Sequence, residues 1–210
     1  MKFGKSVAVT GALALSLTML TQAQAVEPDQ LQQEIDSVLA KTEGGAQISR
    51  NEIAWEGGKV TMTFPLPGEE VAPPASPAAV ALQAKISGVS SSKLNKAVKS
   101  GVGLAAADNC PTETFGNDWY CFYQYKNFGG RRLAWNEGKP GGWYFSAYDF
   151  TNTTSSWSNK GGMPIYVWGR KKTGDDTSCL KSLWIESEHT KDAQVAANVD
   201  NQADCFRTGL

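Results

Sequence analysis

The side chains best suited to acid–base or metal chemistry are few and scattered. His189 is the single histidine, so a two-histidine zinc motif is excluded and any Ser-His-Asp triad would depend on this residue. Glu186 and Glu188 would share one face of a strand, where paired carboxylates can serve a glycosidase but are more commonly only solvated. The sequence contains neither GxSxG nor GxxxxGK[ST]. We therefore predict that the chain is not an enzyme and has no catalytic residue.

The cysteines offer a second kind of chemistry, since the chain contains four of them. An even number in an exported chain predicts two disulfides, and four cysteines allow three pairings. A metal site of four thiolates is the alternative, but the sequence has no CxxC and an oxidising compartment favours bridges. Cys110 and Cys121 enclose a short loop, so we predict that they pair and that Cys179 pairs with Cys205.

Export is predicted from the first 25 residues. Lys2 and Lys5 precede an apolar run over 7–20, and the stretch ends in the small-x-small sequence Ala-Gln-Ala at 23–25. This pattern is typical of a secretory signal peptide. A membrane anchor is the alternative, but the run is short and interrupted by glycine. We expect a mature protein that begins near Val26, is secreted and extracellular, and has no membrane anchor after cleavage.

The charge balance limits the classes of partner. From Asn109 onward the chain has 11 basic and 11 acidic residues. A strongly basic face is therefore not expected, and a nucleic acid or an anionic membrane has little support as a partner. The sequence does not indicate an oligomeric state.

Composition divides the mature chain into three parts. A small helix-plus-strands segment is predicted over 26–68, with a helix over 28–42 whose apolar residues recur at helical spacing and with strands around the alternating Val60, Met62 and Phe64. Five of the nine prolines lie at 65–77, which predicts an extended linker over 65–80 and a linker or pro-segment over 69–108. The third part is 109–210.

The sequence pattern of the last part is typical of an all-β domain. Six of the seven tryptophans fall between Trp119 and Trp184, within short alternating runs separated by glycine pairs or charged turns. Such runs predict a sandwich or barrel. Tryptophans on a β-surface can stack on sugars, but in small domains they more often fill the core. We therefore predict mostly structural roles for Trp119, Trp135, Trp143 and Trp157.

The stretch CFYQYKNFGGRRLAW, residues 121–135, carries a more specific signal. Tyr123, Phe128 and Gly130 fit the pattern aromatic-x4-aromatic-x-Gly. This spacing predicts a hairpin folded over its own sheet, held by two aromatic rings, with a glycine where a side chain would be strained. It is the Greek-key signature of βγ-crystallins. A second, weaker copy begins at Tyr166 and Trp168 but lacks the later aromatic residue and glycine.

These motifs together resemble a known family. The order WYCFYQYKNFGGRRL, DFTNTTSSWSN, YVWG, with the cysteines around them, is similar to the secreted actinobacterial metalloproteinase-inhibitor family, whose members have a βγ-crystallin-like fold. The resemblance covers 109–210. It implies a disulfide-bonded, all-β Greek-key sandwich and, as partner, an extracellular thermolysin-like metalloprotease that the domain inhibits.

The resemblance also implies a reactive loop. Family members carry a cysteine followed by an aliphatic residue in this region, and Cys179-Leu180 matches within GDDTSCLKSLW. A disulfide beside the scissile bond would reduce the ordering entropy lost on binding. Thermolysin-like enzymes favour a large aliphatic residue just after the cut, and Leu180 fits. The alternative is that Leu180 is a core strand residue.

A calcium-binding role is the remaining possibility. Calcium-binding βγ-crystallins carry paired Asn/Asp-Asn/Asp-x-x-Ser/Thr-Ser loops, whose oxygen ligands suit Ca²⁺. Residues 151–156 and 200–205 match incompletely and give Asn152, Ser155, Asp200 and Asn201 as possible ligands. The alternative is that these side chains only hydrogen-bond their turns. The competing function is a calcium- or carbohydrate-binding structural module of the cell envelope.

Overall fold

The computed structural model describes residues 29–88, 108–111, 119–136, 138–170 and 179–209. The predicted signal peptide, residues 1–25, lies outside the described residues. Within these described ranges, none of the helices combines the length and the apolarity that crossing a bilayer requires.

The described residues form two α-helices and eleven short strands. The helices are α1 (Gln30–Lys41) and α2 (Pro77–Ile86). The strands are β1 (Ala46–Ser49), β2 (Glu52–Trp55), β3 (Val60–Thr63), β4 (Tyr120–Tyr123), β5 (Arg132–Trp135), β6 (Trp143–Tyr144), β7 (Ser156–Asn159), β8 (Ile165–Arg170), β9 (Cys179–Glu186), β10 (Thr190–Asp192) and β11 (Cys205–Thr208).

The strands form two antiparallel sheets. One has the order β1-β2-β3-β5-β4-β7-β10, and the other has the order β6-β11-β8-β9. Strands β4 to β7 and β8 to β11 are two successive Greek keys. The third strand of each key leaves its own sheet and pairs in the other, since β6 pairs with β11 and β10 pairs with β7. The predicted all-β, βγ-crystallin-like Greek-key sandwich is confirmed.

The folded hairpin between β4 and β5 has the predicted construction. The Tyr123 and Phe128 rings meet edge to face with centroids 5.3 Å apart. Gly130 has φ +69°, and a Cβ there would lie 2.7 Å from the Cβ of Gln124. Glycine is therefore required both for the backbone angle and for the close approach.

The leading segment extends the first sheet. Strand β3 pairs with β5, so that Val60 lies opposite Trp135 and Met62 lies opposite Leu133. The buried face of α1 (Leu31, Ile35 and Val38) belongs to the same hydrophobic cluster as the interior of both Greek keys. The three-part division of the chain stays a prediction. However, β1 to β3 belong to the same sheet as strands of the last part, and α1 packs into the same core.

The prediction of an extended linker over 65–80 was wrong at its C-terminal end, because Pro77–Ile86 is helical. The Ser76 hydroxyl accepts a hydrogen bond from the backbone N–H of Ala79, and Pro77 occupies the first turn. Proline is favourable there because its missing N–H would have had no helical partner. Alanine-rich sequence and burial of Gln83 and Ala84 stabilise the rest. Residues 89–107 of the predicted linker lie outside the described residues.

Two disulfides are present, Cys110–Cys121 and Cys179–Cys205, as the sequence predicted. Three of the four tryptophans assigned structural roles are buried, namely Trp119, Trp135 and Trp157. The exception is Trp143, which is 37% exposed. Its ring lies under the Lys139 ammonium at 4.6 Å.

Buried charges connect the segments. The Arg132 guanidinium is fully buried and donates to the carbonyl of Pro73 at 2.9 Å and to the Thr63 hydroxyl at 2.9 Å. The Glu52 carboxylate accepts from the Thr63 hydroxyl and from the backbone N–H of Ser76. This network fixes the end of the proline-rich stretch and the start of α2 against the sheet, because each buried polar group needs its partner.

Candidate functional site

Strand β9 is the edge of the four-stranded sheet and carries the predicted reactive residues. It pairs on one side with β8, and none of the other described strands pairs with its second side. An edge strand has backbone N–H and C=O groups that face outward and can pair with another chain. Cys179 is the first residue of β9, and Leu180 is the second.

Leu180 is displaced from the ladder by a β-bulge. Gly169 pairs with Lys181 and the next residue, Arg170, pairs with Cys179, so Leu180 is the extra residue on β9. Bulges redirect side chains and end regular pairing. The Leu180 side chain is 65% exposed, the largest exposure of any large hydrophobic residue in the described chain. The alternative of a core position is therefore wrong, while a role in inhibition stays a prediction.

The disulfide holds this end of β9 to the interior of the sheet. Cys179 is bonded to Cys205, which begins β11. Cys205 in turn lies opposite Trp168 on β8 and opposite Tyr144 on β6. The residue before Leu180 is thus covalently fixed to a central strand. The preceding part of the predicted loop, residues 171–178, lies outside the described residues.

A cavity of about 190 Å³ lies beside the disulfide. Its walls include both bridged cysteines, the aromatic rings of Trp143 and Trp168, and Arg207. A larger cavity of about 570 Å³ lies between the start of α1, residues 65–70 and the folded hairpin. Because Cys179 lines the smaller cavity, that one adjoins the exposed Leu180.

Sequence reasoning missed an aromatic and cationic surface on the outer side of this sheet. The Arg207 guanidinium lies 5.4 Å from the centre of the Tyr166 ring and 5.0 Å from that of Trp168. The two rings are themselves stacked, with centroids 6.0 Å apart. The alternation of Tyr166 and Trp168 on one strand face was visible in the sequence, but Arg207 is brought to them only by β11.

The two loops considered for calcium meet each other. The Ser155 hydroxyl donates to the side-chain oxygen of Asn201 at 3.4 Å, and the Asn201 N–H donates to the Thr154 carbonyl. Asp200 brings one carboxylate, whose Oδ1 is buried without a hydrogen-bond partner in the described chain. The backbone N–H of Asn152 donates to the carbonyl oxygen of Ala203 at 2.8 Å.

The oxygen atoms of the four candidate ligands suit a hard cation, although calcium affinity rises with ligand charge and only Asp200 among them has a carboxylate. The other carboxylate of the second loop, that of Asp204, lies against Arg170. In the described ranges, no group of three or more His, Cys, Asp or Glu residues is arranged for a metal ion. Calcium binding stays a prediction.

The residues first considered for acid–base chemistry are separated. Glu186 ends β9 fully buried, whereas Glu188 is exposed in the following turn, so the expected shared face was wrong. Burial raises the pKa of Glu186 well above its usual range, partly offset by the hydrogen bond from the Trp184 indole. His189 is exposed, and its Nδ1 lies 2.8 Å from the Lys160 carbonyl oxygen.

The fold and this site together define a disulfide-braced, two-sheet β-domain that presents a rigid, exposed strand end. Residues 104–180 match the model of peptidase inhibitor family I36, which confirms the predicted family at the level of a peptidase inhibitor. The match ends at Leu180. A match to an inhibitor model is consistent with the prediction that the chain is not an enzyme, which stays a prediction.

No curated protein matches the chain. A solved structure described as "Evolution of the eye lens beta-gamma-crystallin domain fold" aligns with a TM-score of 0.36 and 10% identity, over 51% of this chain and 93% of that chain. The exchange of third strands between the two Greek keys, rather than this low-scoring similarity, defines the fold.

Proposed function

We propose that this protein is a secreted inhibitor of an extracellular, thermolysin-like metalloprotease, and that Cys179 and Leu180 enter the active-site cleft of the enzyme. The single observation that carries the proposal is the exposure of Leu180 on a bulged edge strand, directly after a cysteine fixed by a disulfide.

Proteases bind substrates as extended chains, and an edge strand already has that conformation. The bulge leaves Leu180 outside the ladder, so its side chain is available to a pocket without unpairing the rest of β9. The disulfide limits the freedom of the strand end before binding, which lowers the entropy lost in the complex. A cleaved strand would also stay attached, because Cys179 remains bonded to Cys205.

The choice of a metalloprotease follows from the side chain offered. A large aliphatic residue just after the scissile bond suits thermolysin-like enzymes, and Leu180 has this position if the cut falls after Cys179. The inhibitor-family match supports a protease partner of some class. The two disulfides agree with secretion, since bridges persist in oxidising compartments.

The test is inhibition of thermolysin by the purified protein and by Leu180→Gly. Ile185→Gly is the matched control, because Ile185 is a second exposed aliphatic residue on β9, with 56% exposure. Both changes add the backbone freedom of glycine to the strand, which costs about 0.5–1 kcal/mol relative to alanine, and Ile185→Gly also removes a β-branched residue that favours strands. If Leu180 fills a pocket worth about 2 kcal/mol, its loss raises the inhibition constant by about thirtyfold.

The result expected is strong weakening for Leu180→Gly and little change for Ile185→Gly. A wild-type protein that leaves peptide hydrolysis by thermolysin unimpaired would remove the metalloprotease assignment. Inhibition of a serine or cysteine protease in the same assay would keep the inhibitor role and change the target class. Equal effects of the two glycine variants would move the reactive site away from Leu180.

A further inference from the structure

We propose that the outer surface around Arg207, formed by Tyr144, Tyr166, Trp168 and Arg207 and here named the Arg207 face, binds a carboxylate group on the surface of the inhibited protease. This inference rests on the proposed function, because it places a second contact beside Leu180. It assigns a role to residues outside the predicted reactive site.

The Arg207 guanidinium is held in a fixed position by aromatic rings. Register places Arg207 opposite Tyr166 across the β11–β8 ladder, and Trp168 is two residues further along β8 on the same face. The guanidinium lies over both rings, at 5.4 and 5.0 Å from their centres. Arginine stacks well because its charge is spread over a planar group. A side chain already ordered loses little freedom when it binds.

The charge of Arg207 has no acidic partner within the described residues. Two other cations do have acidic partners: Arg170 lies 3.4 Å from an Asp204 carboxylate oxygen, and Lys139 lies 3.1 Å from a Glu56 carboxylate oxygen. Arg207 is exposed, and its planar fork of N–H donors matches the two oxygens of a carboxylate. A stacked, exposed arginine with no acidic partner among the described residues is complementary to a carboxylate supplied by another protein.

The position of the face points to the same partner that would contact Leu180. The 190 Å³ cavity is lined by Arg207 and Trp168 on one side and by Cys179 on another. Cys179 directly precedes Leu180, so a protein that covers Leu180 also covers the rim of this cavity. The occupant is therefore a protease surface with an Asp or Glu side chain next to its cleft, since Arg207 supplies the complementary charge.

The experiment measures thermolysin inhibition by Arg207→Met, which keeps an unbranched stem on the rings but removes the charged fork. Arg50→Met is the matched control, because Arg50 is an exposed arginine of the leading segment that pairs with Asp29. Arg207→Met is expected to raise the inhibition constant about tenfold and to reduce the salt dependence of the association rate, while Arg50→Met changes neither. Arg207→Lys is expected to fall between wild type and Arg207→Met, because lysine keeps the charge without the bidentate fork.

Failure of this inference is distinguishable from failure of the proposed function. If Leu180→Gly weakens inhibition and Arg207→Met does not, the Arg207 face is overturned and the reactive site stands. A hexaglutamate peptide, followed by tryptophan fluorescence, tests the face without any protease. Binding to wild type that is lost in Arg207→Met supports the face even if thermolysin is not inhibited. No binding of the peptide, or equal binding of the peptide by both proteins, overturns it.

Discussion

Cys179, at the start of edge strand β9, is covalently bonded to Cys205, at the start of β11, although β8 lies between these two strands in the sheet. The bridge therefore ties the edge to a central strand at the point where Leu180 leaves the ladder. In the proposed inhibitor, this link supplies the rigidity that separates a slowly cleaved strand from an ordinary substrate.

Removing this bridge should strongly weaken inhibition, whereas the protein should stay folded with a lower free energy of unfolding. The double variant Cys179→Ser/Cys205→Ser opens a loop with a sequence separation of 26. We expect a loss of about 2–4 kcal/mol of unfolding free energy, together with rapid cleavage after residue 179 by thermolysin. Denaturant titration and mass spectrometry of the digest measure the two effects.

The other disulfide is the control for that experiment. Cys110→Ser/Cys121→Ser opens a loop with a separation of 11 and lies in a different buried cluster. It should lower the unfolding free energy by a similar amount, about 2–4 kcal/mol, but leave the inhibition constant near that of wild type. Equal loss of inhibition in both double variants would mean that global stability, rather than the local bridge, controls the reactive strand.

The buried Glu186 should make the protein less stable as the pH rises. Burial raises its pKa in the folded state, so the folded protein keeps a proton that the unfolded chain releases above its ordinary value of about 4.3. The contribution is complete below that pH and is lost as the pH rises toward the folded-state pKa. Glu186→Gln should match wild type near pH 4 and be more stable at pH 8, as measured by denaturant titration across this range. Parallel pH profiles for the two proteins would show that Glu186 is not protonated in the fold.

Asp108 should have the opposite pH dependence. Burial acts to raise its pKa, but hydrogen bonds from Lys160 and from the Cys110 N–H, with the charges of Lys160 and Lys191, lower it overall. The lysine ammonium groups lie 2.7 and 3.4 Å from Asp108 Oδ2. Its stabilising effect is therefore present above about pH 4 and is lost as the pH falls through the lowered folded-state pKa.

Asp108→Asn should reduce the unfolding free energy by about 2 kcal/mol at neutral pH, with a smaller difference from wild type in acid. The control is Asp36→Asn on the exposed surface of α1, which should cost less than about 0.5 kcal/mol. Denaturant titrations between pH 2 and 7 (about the range over which a carboxylate titrates) measure both. A constant difference between wild type and Asp108→Asn at every pH would contradict the assignment.

The buried Arg132 should resist even conservative replacement. Its two terminal nitrogens donate to different groups, the Pro73 carbonyl and the Thr63 hydroxyl, and a lysine ammonium is a single point. Arg132→Lys should cost about 2–3 kcal/mol, since hydrogen bonds to charged groups contribute about 1.5–3 kcal/mol each. Arg50→Lys, in an exposed ion pair, should cost less than about 0.5 kcal/mol. Thermal and denaturant unfolding measure both, and a neutral Arg132→Lys would show that the proline-rich stretch is not fixed by this side chain.

Calcium should leave the thermal midpoint unchanged if the two facing loops only hydrogen-bond each other. Among their candidate ligands only Asp200 has a carboxylate, and Ser155 already donates to Asn201. Thermal unfolding in millimolar CaCl₂, with MgCl₂ as the salt control, tests this. A calcium-specific rise in the midpoint that disappears in Asp200→Asn would establish a site there and favour the structural-module function.

The parts of the fold that depend on local chemistry could be predicted from the sequence. The folded hairpin follows from Tyr123, Phe128 and Gly130, because two rings and a left-handed glycine act within a few residues of each other. Helix α1 follows from its apolar spacing. The short loop between Cys110 and Cys121 favoured their pairing, and the other bridge followed by elimination.

The tertiary structure decided whatever depends on which distant strands meet. Pairing of β3 with β5 joins the leading segment to the Greek keys, a long-range contact that no local pattern encodes. The same holds for the burial of Glu186, which was expected to share a solvated strand face with Glu188. It holds too for the stacking of Arg207 on Tyr166 and Trp168 across the ladder. Sequence periodicity reports which side of its own strand a residue faces, whereas burial and partners depend on the strands that pack against that side.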